Sequence, residues 1–83
     1  MVIVSVYDEK AKFFVGGLNL QKNVECALRF FSDLCSDKQS ALVKFPDDYS
    51  LHLFGKFDEN TGTFELLDKP TKLQTAKEVL SNG

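Results

Sequence analysis

The 83-residue sequence predicts an α+β fold: a four-stranded antiparallel sheet in two hairpins, one long helix packed on a face, and a short C-terminal helix. Three observations predict it. Residues 2–7 and 12–15 are β-branched and aromatic and flank the polar turn Asp8-Glu9-Lys10-Ala11. Residues 49–58 alternate, with Tyr49, Leu51, Leu53, Gly55 and Phe57 on one face and Ser50, His52, Phe54 and Lys56 on the other. Between these segments Val24, Ala27, Leu28, Phe31, Leu34 and Cys35 recur at three- and four-residue spacing, the stripe of an amphipathic helix. The order strand-strand-helix-strand-strand-helix then gives a sheet with one face covered.

Taken in order, the first strand runs from Val2 to Tyr7, and the second from Lys12 to Val15, ended by Gly16-Gly17. The long helix is expected from about Leu20 to Cys35, with Asn19 as N-cap. Leu28 and Phe31 are expected to be fully buried. On its polar face Glu25, Arg29 and Asp33 follow at four-residue steps, which fits either a solvated ion-pair ladder or an Arg29 phosphate contact held by two carboxylates. Residues 40–48 form a connector with a helical turn at Ala41-Leu42-Val43, and Pro46 opposes anything longer. The third strand spans Tyr49 to Asp58. Glu59-Asn60-Thr61-Gly62 turns the chain, and Thr63 to Leu67 returns as the fourth strand until Asp68-Lys69-Pro70 breaks it. Thr71 and Gln74 have the spacing of a capping box, and Leu73, Ala76 and Leu80 mark the last helix.

Composition bounds the function. Apolar residues are 43% and charged residues 27% of the chain, which describes one globular domain over residues 1–83 rather than a disordered segment. A chain of this size buries only about 60–65% of its unfolded surface, so its core is small. No apolar run approaches the ~20 residues of a membrane span. The apolar opening from Met1 to Tyr7 is short and lacks a basic leader, so no signal peptide is expected. Net charge is −2, and Arg29 is the only arginine. That balance disfavours tight duplex binding and base-edge reading, which rest on many cations and on arginine forks.

Catalytic constellations are missing from the sequence, and a non-enzymatic role is expected. His52 has no nucleophile motif beside it, and Gly16-Gly17 lacks the Lys-Ser/Thr ending of a phosphate loop. Two cysteines, Cys26 and Cys35, and one histidine are too few for a common zinc site, and no metal or cofactor is expected. Nine residues apart on one helix, the thiols lie ~13 Å apart along the axis and stay free. The outstanding feature is eight Phe and two Tyr, more rings than so small a core holds easily. Exposed rings beside lysines make a base-stacking platform. The candidates are Lys10, Lys12, Phe13 and Phe14 on the first hairpin, His52, Phe54 and Lys56 on the third strand, and Arg29 on the helix. From the residues alone, a dimer interface or the second face of the core accounts for the same rings more readily than stacking does.

A set of residues spread along the chain carries a resemblance. Ser5-Val6-Tyr7-Asp8, Lys10-Ala11 and Phe14 open it; Ala27, Arg29, Phe30 and Asp33 continue it in the helix. Pro46, Asp48-Tyr49-Ser50-Leu51, Gly55, Phe57-Asp58 and Thr61-Gly62 follow, with Leu73 and Ala76 at the end. In this order the residues resemble the small non-structural protein of gokushovirus-type microviruses, phages with single-stranded DNA genomes. Gly16-Gly17-Leu18 departs from the family pattern of proline and further aromatics there. The resemblance implies a non-capsid, DNA-binding protein of the host bacterial cytoplasm. It would act in the switch from duplex replication to single-stranded DNA synthesis and packaging. It brings no catalytic or DNA-contacting residues with it. The expected partners are single-stranded DNA and a second copy of the chain, with no membrane. The alternative is a protein-interaction module that contacts the phage replication initiator or a host protein without binding DNA.

Overall fold

The structure, a computed structural model, describes residues 1–82. Its elements are β1 (Val2–Asp8), β2 (Phe13–Gln21), α1 (Val24–Leu34), α2 (Ala41–Lys44), β3 (Tyr49–Asp58), β4 (Thr63–Thr75) and α3 (Ala76–Asn82). The strands form one antiparallel sheet in the order β2-β1-β3-β4, as two hairpins joined through β1 and β3. This is the predicted α+β class. Among the described residues no helix is long and apolar enough to cross a membrane.

β1 is the reference strand, because it pairs on both sides and Val2 through Val6 are all buried. Val2, Val4 and Val6 point to the helix side, where they meet Ala27 and Phe31 of α1, its C-cap Cys35, Leu51 of β3 and Ala76 of α3. Ile3, Ser5 and Tyr7 point to the other face, which no helix covers. Phe31 is wholly buried, as the stripe predicts. Leu28 is only half-buried at the margin of that core, because α1 meets the sheet along Ala27, Phe31 and Cys35. Cys35 sits in the core, where burial raises its thiol above the ordinary 9.0, and Cys26 lies half-buried outside it.

Three element boundaries differ from the sequence reading, each for a visible reason. β2 does not stop at Gly16-Gly17. Val4 to Val6 on β1 face Asn19 and Val15 on β2, so the extra residues loop out as a bulge and pairing resumes through Leu20 and Gln21. Both glycines take left-handed φ values of 78° and 73°, and the Gly17 carbonyl accepts the Ser5 hydroxyl at 2.7 Å. The helix therefore starts four residues later than expected. Asn23, not Asn19, is the N-cap, its side chain accepting from the Cys26 amide at 2.8 Å. β4 likewise runs past Pro70. Leu53 pairs with Thr71 and Gly55 with Leu66, so residues 67–70 bulge from an edge strand, where a missing amide donor costs little. The capping box of α3 is Thr75 with Glu78: the Thr75 hydroxyl accepts from the Glu78 amide, and Glu78 accepts from the Thr75 amide, both at 3.1 Å.

A fourth irregularity positions the site. Ile3 pairs with Gly55 but Val4 pairs with Leu53, so Phe54 is an extra residue in β3. Gly55 has φ 151°. A Cβ built there collides with the Glu65 carbonyl oxygen and lies 2.8 Å from the Leu66 Cα. The backbones of β3 and β4 can approach this closely only over glycine.

Two stability measurements follow. Phe31→Ala should cost about 3–5 kcal/mol by chemical denaturation, as large-to-small changes in a closed core do, whereas Leu28→Ala at the margin should cost clearly less. Gly55→Ala should cost about 1–3 kcal/mol for its backbone conformation alone and more for the displaced strand. Gly62→Ala, where nothing lies within 4 Å of an added Cβ, should cost less than Gly55→Ala. Equal losses at the two glycines would contradict the close approach.

Candidate interface on the open sheet face

The uncovered face has two ends of different chemistry. At the end beside the β1–β2 turn, four rings gather. Tyr7 lies 4.7 Å from Phe14 and 5.4 Å from His52, and Phe14 lies 5.5 Å from His52 and 4.9 Å from Phe54, measured between centroids. Cross-strand pairing brings them together: Tyr7 faces Phe14, and Ser5 faces His52. The His52 Nε2 lies 2.9 Å from the hydroxyl of buried Ser50. Lys72 pairs in register with His52, and its Nζ reaches Glu9 Oε1 at 3.2 Å, so this ion pair spans β3 over the ring cluster. Both partners are about half exposed, which makes the pair weak and leaves Lys72 free to exchange Glu9 for another anion.

At the other end, near Met1 and the β3–β4 turn, the face is aliphatic. Ile3 forms the floor of a groove of about 570 Å³ walled by Leu18, Leu20, Phe54, Phe64 and Leu66. Phe57 pairs with Phe64, with ring centroids 4.9 Å apart. No charged side chain lines this groove.

The structure separates several residues that the sequence reading grouped. His52 and Phe54 share the open face. Lys56 does not: beyond the Phe54 bulge it pairs with Val2 and Glu65 and lies on the helix side, near Lys22 and Val24. Phe57 makes the opposite move, to the open face. Phe13 pairs with Asp8 and so turns to the helix side, while Phe14 faces the rings. Arg29 is exposed on α1, across the sheet from the rings, and its expected ladder is not closed. Among the described residues the ion pairs are Lys72–Glu9 and Lys77–Asp47. Lys10 and Lys12 stand exposed in the β1–β2 turn, and Lys10 lines a pocket with Phe45, Asp48 and Tyr49 rather than with the rings. Tyr7 and Lys72 join the site without having been singled out. The alternation Ile3, Ser5, Tyr7 against Val2, Val4, Val6 carried the signal for Tyr7.

The two hairpin turns have one construction and one difference. Asp8 accepts the Lys12 amide on its carbonyl at 2.7 Å and the Lys10 amide on its carboxylate at 3.0 Å. Asp58 does the same for Gly62, at 2.7 Å, and for Asn60, at 2.9 Å. The closing residue is left-handed in both, Gly62 at φ 74° and Lys12 at φ 62°. Lysine thus occupies a position that favours glycine.

Burial, and next the nearby Lys72, push the His52 imidazole below its ordinary 6.5, with Glu9 opposing. The folded chain then binds fewer protons at this site than the unfolded chain. Its contribution is complete above the unfolded value and is lost as pH falls through it. Melting temperature should therefore drop between about pH 7 and pH 5, the window of histidine titration, and His52→Gln should flatten that part of the curve. Parallel curves for the two proteins would show a solvated, uncoupled imidazole.

Comparison with known proteins places the chain. No solved structure matches it. It is 31% identical over 71 residues to Protein ORF5 of Chlamydia phage 1, covering 82% of this chain and 74% of that protein. The family described as Phage ORF5 protein matches residues 1–79. With the whole sheet, α1, α2 and the first residues of α3 inside that match, the chain belongs to the phage ORF5 protein family.

Proposed function

We propose that this phage protein is a non-catalytic binder of single-stranded DNA, working in the host bacterial cytoplasm where the genome passes from duplex replication to single-strand synthesis and packaging. The observation that carries the reading is the cluster of Tyr7, Phe14, His52 and Phe54 on an open sheet face, bordered by the lysines of the β1–β2 turn and by Lys72. Rings on an uncovered sheet offer π-faces to unpaired bases, at about 1–3 kcal/mol per stacked base. Lys72, in register with His52, and the exposed lysines of the adjoining turn would supply contacts to the phosphates of a strand laid over those rings. The left-handed Lys12 supports the same reading, since a strained lysine in a glycine position is kept at a cost of about 1 kcal/mol. Few cations and a net charge of −2 make the binding weak and dependent on stacking.

A second reading keeps the chain as a protein-interaction module for the replication initiator or a host protein. Its support is the low cation count together with the aliphatic end of the open face.

Titration with labelled poly-dT across a salt series tests both. Affinity should be roughly micromolar and fall with a log–log slope of about −0.7 per phosphate, for two to four contacts. Lys12→Gly should shallow that slope by about one contact without loss of stability, because relief of the left-handed lysine offsets glycine's freedom in the unfolded chain. Phe14→Leu, which keeps bulk but removes the ring, should weaken binding most at high salt, where screening suppresses the lysines. Lys56→Ala, on the other side of the sheet, should bind as the parent does. Absence of saturable binding at low salt would hand the function to the protein-interaction reading. Binding indifferent to both Lys12→Gly and Phe14→Leu would remove it from this face.

A further inference from the structure

We propose that the aliphatic end of the open face is a homodimer interface, on which two copies of this chain pack sheet against sheet around Leu18, Leu20, Phe64 and Leu66. These four residues are 66%, 46%, 61% and 66% exposed, values out of keeping with their chemistry. Together they show water on the order of 500 Å² of mainly apolar surface, near the top of the range that monomers leave uncovered. Two copies would bury twice that. The part-exposed Phe54 and Phe57 and the strand rims bring the total to about 1,200 Å², the lower bound of a stable interface.

Three features favour a second copy over other occupants. The surface is a sheet face, and sheets stack at about 10 Å with their side chains interleaved. The groove over Ile3 lies between Leu18 and Leu20 on β2 and Phe64 and Leu66 on β4, so the face carries apolar ridges and an apolar groove side by side. A twofold contact needs such self-complementarity. The groove also carries neither sign of charge, so two copies of an acidic chain meet there without repulsion. A nucleic acid finds no cation there for its phosphates, and three exposed leucines dilute the one exposed ring, Phe64. A membrane surface finds no basic residue lining this groove, and Lys22 and Lys56 lie on the helix side.

The dimer has one helical layer on each outside and two sheets inside. It leaves Tyr7, Phe14, His52 and the β1–β2 turn of each copy at the ends of the interface, with Phe54 shared between groove and ring cluster. Self-association is measured without DNA, so the two readings fail separately.

Sedimentation equilibrium without DNA, over roughly 1–100 µM, tests it. The parent should give twice the chain mass of 9.3 kDa. Leu66→Lys and Leu18→Lys, both at exposed sites that leave the core intact, should return it to one chain mass with unchanged circular dichroism. Phe45→Lys, exposed on the helix side, should remain a dimer. In a dilution series, methyl resonances of Leu18, Leu20 and Leu66 should move while those of Leu34 stay fixed. A mass of 9.3 kDa throughout would overturn the proposal and leave the face to a different protein. A dimer that survives both leucine variants, or that is lost with Phe45→Lys, would place the interface elsewhere and overturn it equally.

Discussion

The extra residue at Phe54, made possible by Gly55, decides what each face of the sheet presents. Strand side chains alternate strictly, so one inserted residue sends everything beyond it to the opposite face. Before the bulge, Leu51 and Leu53 serve the core under α1. Beyond it, Phe57 and its neighbours on β4, Phe64 and Leu66, turn to the uncovered face, and Lys56 leaves it. An unbroken β3 would have kept a charged residue on the open face and offered its phenylalanine to the helix side. The bulge survives because Gly55 lets the Glu65–Leu66 backbone pass where no side chain fits. An apolar groove on the solvent side of the sheet is thus built into the backbone, and its surface chemistry follows from that geometry.

The covered face shows why the rest of the chain is sparing with its contacts. The core is a single patch between α1, α3 and the middle of β1 and β3, and most of β4 contributes nothing buried to it. From Thr63 to Lys72 every residue of β4 is exposed, although the strand pairs with β3 on both sides of its bulge. Hydrogen-bonded pairing alone gives little net stability, near 1 kcal/mol or less per bond, so the outer hairpin is the least anchored part of the fold. A long exposed edge bearing Leu66 and Phe64 is an aggregation hazard unless it is interrupted or covered. Pro70 and the bulge at residues 67–70 interrupt its edge, and the remaining apolar face is what a second layer would cover.

Most of the architecture was legible in the sequence because periodicity reports which side chains must be buried. The class, the hairpin pairing, the α1 stripe through Phe31 and the small helical turn at residues 41–44 all rest on that signal. The misplaced features are those that depend on backbone irregularity. Gly16-Gly17 and Asp68-Lys69-Pro70 are strong local stop signals, yet pairing with β1 and β3 resumes beyond each, so tertiary pairing overrides them. Asn19 and Asn23 are both competent caps on the same stripe, and the competition is settled by Leu20 pairing with Ile3. Thr71–Gln74 and Thr75–Glu78 both fit a capping box, and β4 consumes the first. For the site, the single informative mark was an isolated glycine inside an alternating strand, which signals a bulge. Read strictly as alternation, that segment grouped Lys56 with Phe54 and separated Phe57 from it, the reverse of what the backbone does.

The two ends of the open face divide the work between chemistries that do not mix. Rings with flanking lysines suit a flexible anion with flat bases, and an uncharged aliphatic groove suits another apolar surface. Phe54 touches both ends, since it contacts Phe14 in the ring cluster and walls the groove over Ile3. Occupation of the groove would fix the Phe54 ring from one side and so present a more rigid stacking surface on the other. Coupling of this kind is reciprocal: if self-association tightens DNA binding, DNA must tighten self-association by the same factor. A twofold dimer would also carry two ring clusters at opposite ends of the paired sheets, and one strand engaging both gains effective concentration without any new contact. On the proposed reading, weak individual sites on an acidic chain with one arginine would then suffice, because avidity scales with the strand length available while each contact stays exchangeable.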